Sequence, residues 1–232
     1  MLQGKVVIVT GGFGALGRVV AAEAAKAGAK VAVLDFAPNA PEGLQGSLGA
    51  HSLLVGGVDL SKEASAKDAA DKVKAKFGRI DAVFNIAGGF SWETVEGGSL
   101  ATWDKLYTLN VVTTRNMIVA ALPSLLESGA GRVVNVGANG AVKAETGMGA
   151  YAASKSGVHK LTESLAEEFK GKITVNAVLP SMIDTPVNRA DMPDADFSKW
   201  VQPAQIASLM IYLATDQAGA ITGALIPIVG GL

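Results

Sequence analysis

Runs of apolar, mostly β-branched residues alternate along this chain with segments whose apolar residues recur at helical spacing, and that alternation restricts the fold more than any other feature. Lys5 to Thr10, Lys30 to Asp35, Ser52 to Val58, Ile80 to Ile86, Arg132 to Val136, Ile173 to Leu179 and Ala224 to Val229 read as strands. Helical patterns lie between them. Leu16, Val19, Val20, Ala24 and Ala27 share one face before Gly28; Ala66, Ala69, Ala70, Val73 and Phe77 share another. Ser99 can cap a long helix bearing Trp103, Leu106, Tyr107 and Val111, and 149–170 and 203–214 are the last two helices. Strands joined by helices pair in parallel through right-handed crossovers, so the expected fold is α/β: a doubly wound parallel sheet of Rossmann type with helices on both faces. Residues 1–232 form one domain in this reading. The stretch 37–49 reads as a loop, and 181–202, with its Pro, Asp, Asn and Met residues, as an irregular lid.

The first strand runs into Thr10-Gly11-Gly12-Phe13-Gly14-Ala15-Leu16-Gly17. Glycines there let the backbone approach a pyrophosphate and aim the following helix N-terminus at its charge. Asp35 ends the second strand near the ~20-residue separation at which a carboxylate bonds the adenosine ribose. That carboxylate repels a 2'-phosphate and the turn carries no Arg or Lys to attract one, so the expected cofactor is NAD (NADH), with NADP disfavoured. Further along, Tyr151 and Lys155 stand at i and i+4 of a helix, where an ammonium lies close enough to a phenol to lower its pKa from ~10. A bound hydride carrier and a proton donor together make an oxidoreductase.

Composition narrows the partners. A net charge of -1 with scattered Lys and Arg offers no basic stripe for nucleic acid. With no cysteine there is no disulfide or thiol chemistry, and His51 and His159 alone make no metal site. No basic and apolar leader precedes Lys5 and no apolar run approaches the ~18 residues of a membrane span, so a soluble cytoplasmic protein with a small-molecule substrate is expected.

These motifs, in this order, resemble the short-chain dehydrogenase/reductase family along the whole chain. The cofactor turn matches, with Ala15 where Gly is frequent; Asp59-Leu60 matches the family's adenine contact, Asn85-Ile86-Ala87-Gly88 its motif after the fourth strand, and Tyr151 to Lys155 its active-site helix. The resemblance implies that Lys155 bonds the nicotinamide ribose and lowers the Tyr151 pKa, that Tyr151 passes a proton to the reduced atom, and that Asn110 holds a water for proton relay. Pro180 to Thr185 matches the segment that holds the carboxamide through the Ile183 backbone and the Thr185 hydroxyl, with Ser181 in place of a usual Gly. The resemblance also implies a homodimer or homotetramer.

One element departs from the family. Where it usually has a Ser that positions the substrate carbonyl, this chain has Ala138, which forfeits a contact worth ~1 to 3 kcal/mol in the transition state. Asn139 is the alternative donor. The C-terminal half is similar to the family's dihydropteridine reductase branch, which also has Ala there, in Gly137-Ala138, Thr146-Gly147-Met148, Tyr151 through His159, Asp184 to Arg189, Met192-Pro193 and Ala195 to Trp200. That similarity implies a quinonoid dihydropterin as acceptor, imine-like and not dependent on the hydroxyl. Phe90 and Trp92 are then a stacking wall for a flat ring, or loop anchors; Met148, Met182 and Met192 line a pocket, or fill core; His159 is a structural or surface histidine. Two rivals remain: a general carbonyl reductase or alcohol dehydrogenase acting on 3-oxoacyl or sugar substrates, and an NAD-binding sensor that has lost catalysis.

Overall fold

Residues 1–231 are described by a computed structural model. Seven strands, β1 (Val6–Thr10), β2 (Lys30–Leu34), β3 (Leu53–Val55), β4 (Ala82–Asn85), β5 (Gly131–Val136), β6 (Ile173–Pro180) and β7 (Leu225–Ile228), form one sheet in the order β3-β2-β1-β4-β5-β6-β7. All neighbouring pairs are parallel. The alternation of side chains sorts β1 between two cores: Val7 and Val9 face one way, Val6 and Ile8 the other. The first core is closed by α1 (Ala15–Lys26), the short α2 (Leu44–Leu48) and, later in the chain, α8 (Pro203–Leu213). The second is closed by α3 (Glu63–Phe77), the helix segments α4 (Leu100–Tyr107) and α5 (Thr113–Glu127), and α6 (Gly149–Glu168). Each Val or Ile buried in this way contributes about 1.5–3 kcal/mol.

Differences from the sequence reading are local. The third and fourth strands are shorter than expected because the chain turns away from the sheet before Val58 and after Asn85. Residues 37–49 are not all loop, since Leu44 and Leu48 are buried under α1 and hold a helical turn between them. The lid is ordered too: it contains α7 (Pro186–Asp191), capped by the Thr185 hydroxyl accepting from the Asn188 N–H, and a 3-10 turn at Phe197–Lys199. Between α4 and α5 the helix widens into a π turn, Thr108–Val112, that the apolar spacing did not announce. The continuous helix Leu100–Glu127 is long and apolar enough to cross a bilayer, which corrects the expectation that no run reaches that length; its apolar face is buried against β4, β5 and α3, as in a core helix.

The chain leaves the edge strand β3 through α3 and returns beside β1 as β4, so the crevice at the carboxyl ends opens between β1 and β4. Thr10 and Asn85 are register partners there. The buried Thr10 hydroxyl accepts from the N–H groups of both Ile86 (3.0 Å) and Ala87 (3.1 Å), tying the two strand ends together. A Cβ at Gly11 would come within 2.8 Å of the Ala87 backbone, and one at Gly17 within 2.2 Å of the Gly11 carbonyl oxygen. Gly17→Ala should therefore destabilise the fold by about 1–3 kcal/mol, the usual cost of overpacking against a neighbour that cannot move, measurable as a lower urea midpoint at unchanged m-value.

Candidate active site

The cofactor turn, the ends of β2 and β4, the segment after β3 and the inner face of α4 surround a cavity of about 1010 Å³. Among the residues expected from sequence, Gly11, Phe13, Gly14, Ala15, Leu16, Gly17, Asp35, Asp59, Leu60, Ala87, Gly88 and Thr185 line it. Its shape depends on missing side chains. A Cβ at Gly88 would fall 2.6 Å from Asn110 Oδ1 and 3.3 Å from Lys155 Nζ, so only a bare backbone fits between the cavity and those two side chains. The bare turn, the helix N-terminus behind it and a carboxylate at the far end suit a dinucleotide.

Asp35 has two tasks. Its Oδ2 accepts from the Phe13 N–H and its Oδ1 from the Ala37 N–H, both at 2.9 Å, so it holds the cofactor turn against the segment after β2. A carboxylate has about four acceptor positions, and two remain for a ligand. Asp59 is held by Ser61 through both backbone and hydroxyl, and the Ser61 bond, with Lys62 next, keeps its carboxyl below the usual range. Sequence reading missed part of the wall: Phe36, 74% exposed beside Asp35, and Asp104, Lys105 and Thr108 from α4 and the π turn. An aromatic directly after the strand-end acid was a readable signal. The helix residues were not, because polar groups at that spacing also describe a solvent face.

Asn85 is buried, and its Nδ2 donates to Asn135 Oδ1, whose own Nδ2 donates to Thr162 in α6. Its side chain is used inside the sheet. Asn110, on the π turn, is fully buried; its Nδ2 donates to the Gly89 carbonyl (3.1 Å) and Ser154 Oγ (2.9 Å), and its Oδ1 accepts from the Gly89 N–H (2.9 Å). Both amide protons are taken, so this side chain fixes the loop after β4 against α6.

On α6, Lys155 donates from Nζ to the Val136 carbonyl at 2.8 Å. Burial pushes its pKa down to about 8. Burial also pushes the Tyr151 phenol up to about 12, the reverse of the expected lowering, through desolvation of the phenolate. Phe90 meets its ring edge to face, with centroids 4.9 Å apart, while Phe90 itself stays 56% exposed. Trp92 is an anchor: its indole N–H donates to the Thr146 carbonyl, and its ring occupies the space a side chain at Gly147 would need. Ala138 is buried, Asn139 opens a 3-10 turn, and Met148 packs on Gly140.

Pro180 ends β6, and the following segment is held to α7 and to the chain before α8. Ser181 bonds the Ile228 and Val229 carbonyls, Met182 and Asp184 exchange backbone bonds with Val201, and the Ile183 carbonyl accepts from Asn188 Nδ2. Arg189 grips Asp184 with two nitrogens (2.5 and 2.8 Å) and lies over the Phe197 ring, and Gln202 adds a third bond. The Arg189 guanidinium, then Gln202, holds the Asp184 carboxyl down at about 2.

Comparison with known proteins matches this arrangement. The sequence model described as short chain dehydrogenase matches residues 5–196. D-threitol dehydrogenase of Mycolicibacterium smegmatis is 35% identical, over 99% of this chain and 93% of its own length. A 3-oxoacyl-[acyl-carrier-protein] reductase of Thermotoga maritima is 30% identical, over 100% and 98%. The solved structure of a 3-ketoacyl-(acyl-carrier-protein) reductase from Brucella melitensis, complexed with NADH, superposes with a TM-score of 0.91 at 30% identity, covering 100% of this chain and 99% of that one. These relatives are dehydrogenases and reductases of other substrates, and they do not carry the dihydropteridine reductase likeness.

The Lys155 value gives a signed test. The unfolded lysine keeps its proton to about 10.5 and the folded one releases it near 8, so between pH 8 and 10 the unfolded state binds more protons and this group makes stability rise with pH. In urea unfolding, Lys155→Met should remove that upward contribution from the ligand-free protein, leaving a flatter stability curve over the same window.

Proposed function

Because the chain belongs to the short chain dehydrogenase family, whose model covers most of it, we propose that it is an NADH-dependent reductase of a small, flat, conjugated acceptor, with a quinonoid dihydropterin as the test case. The observation that carries the reading is the junction at Gly88, where the dinucleotide-shaped cavity meets Lys155 Nζ and, one helical turn away, Tyr151. A nicotinamide supplies a hydride when bound. What the chain supplies is a proton and a position. Tyr151, a phenol and so neutral at working pH, donates the proton to the reduced atom. Lys155 and Thr185 hold the carrier from two sides, and the Ile183 backbone and Pro180 belong to the same grip. Met182, Asn139 and Phe90 border the acceptor, and the 181–202 segment covers it.

Two features favour a conjugated acceptor over a simple ketone. The position that would polarise a carbonyl is a buried methyl, Ala138, and the wall beside Tyr151 is the exposed ring of Phe90, suited to stacking. A second reading, reduction of a carbonyl or oxidation of an alcohol with Asn139 as the donor, is favoured by the relatives, which act by name on a polyol and on 3-oxoacyl carriers. The proposal includes a cytoplasmic location and a homodimer or homotetramer. Leu100, Trp103 and Tyr107 lie exposed on α4 and support the assembly.

Initial rates of NADH oxidation with chemically generated quinonoid dihydropterin, a 3-oxoacyl thioester and a polyol-derived ketone separate the two readings. Tyr151→Phe should cut turnover on the preferred acceptor by about 10²-fold or more while NADH affinity stays within about twofold; retained turnover removes the phenol from the chemistry. Cofactor choice has its own test. Asp35→Asn keeps an acceptor for the turn and removes the charge that opposes a 2'-phosphate, so the NADPH-to-NADH affinity ratio, read by fluorescence titration, should rise roughly tenfold or more.

A further inference from the structure

His159 stands one turn after Lys155, and both point at the end of β5. Lys155 Nζ donates to the Val136 carbonyl (2.8 Å), and His159 Nε2 accepts from the Ala138 N–H (3.2 Å). Between those bonds is Gly137, where an added Cβ would lie 2.4 Å from His159 Nε2; the imidazole reaches the backbone only because that side chain is missing. A third link, from the Ser156 hydroxyl to the Ala141 carbonyl, continues the attachment along the helix. The corner 136–141 is thus seated on α6, and it contains the residue that replaces the family's hydroxyl donor. His159 is 5% exposed, which excludes a surface role.

We propose that His159 is a positioning residue: its neutral imidazole, accepting from the Ala138 N–H, sets where residues 138 and 139 meet the acceptor, and its protonation releases that corner. The direction follows from chemistry. To accept, Nε2 must carry no proton, so the ring's single proton is on Nδ1. An imidazolium has a proton on both nitrogens and presents a donor to a donor. The charged groups around the ring favour the neutral state overall: burial and the ammonium groups of Lys155 and Lys160 oppose protonation, and only Glu163 assists it, while the β5 and β6 side is Gly137 and Leu179. The consequence for the enzyme rests on the reductase reading above; the hold on the corner does not.

The test compares wild type with His159→Gln, whose amide oxygen can accept the same N–H and does not titrate. With saturating NAD, the protection factor of the Ala138 amide against hydrogen exchange is measured from pH 8 to 5, beside the imidazole ¹⁵N shifts. In wild type it should fall by up to about tenfold for each pH unit between the ordinary histidine value of ~6.5 and the lower ionisation that the ¹⁵N shifts report, and in the Gln variant it should stay level. Initial rates add the functional half: the wild-type acceptor KM should rise in acid with the same ionisation while kcat changes little, and the Gln variant should lose that rise. Protection that ignores the imidazole titration in wild type, or an identical acid dependence in the variant, overturns the proposal. A wild type that turns over no acceptor overturns the reductase reading instead, and the amide measurement, which needs neither turnover nor a variant, still decides the role of His159.

Discussion

The opening of the cleft depends on one small group, the Thr10 hydroxyl. Parallel strands that part at a topological switch leave backbone amides with no ladder partner, and buried amides of that kind cost stability unless something accepts from them. Thr10, at the end of β1, accepts from two of them, Ile86 and Ala87, and so fixes the distance across which the cavity opens. The glycines do the rest by subtraction. Gly11 and Gly17 let the turn lie against its own backbone, and Gly88 lets the far wall come up to Asn110 and Lys155.

The two ends of the site are then positioned by different means. At the Asp35 end a charge is held by backbone: its carboxylate takes amides from the glycine turn and from the segment after β2, so one group shapes the loop on both sides. At the reactive end burial sets the chemistry. Tyr151 and Lys155 are shifted in opposite directions, each toward its uncharged form, as expected when desolvation outweighs the interaction between them. Asn110 braces the loop after β4 against the same helix, so three successive pieces of chain meet at α6.

What could be read from the sequence follows from the range of the interactions. The glycine turn, Asp35 and the Tyr151/Lys155 pair are local patterns, and the sheet that unites them is implied by periodicity. The direction of the Tyr151 shift was not legible, because burial is a property of the folded whole. The same applies to Asn110, whose partners Gly89 and Ser154 are distant in the chain, and to His159, which meets Ala138 only just beyond the carboxyl end of β5. Phe36 and helix α7 were missed for a different reason. Their signals, an aromatic after a strand-end acid and Thr185-Pro186 as a cap followed by a first-turn proline, were present but outweighed by the loop-like composition around them.

The wide turn at Thr108–Val112 has a geometric consequence. A π turn holds one residue more than an α turn, so the extra residue is taken up locally and the helical faces on either side keep their alignment. Leu106 stays in the core and Asp104 and Lys105 stay on the cavity wall, while the bulge carries Asn110 inward to Gly89 and Ser154. One surplus position in an otherwise regular rod is what gives a buried amide its reach.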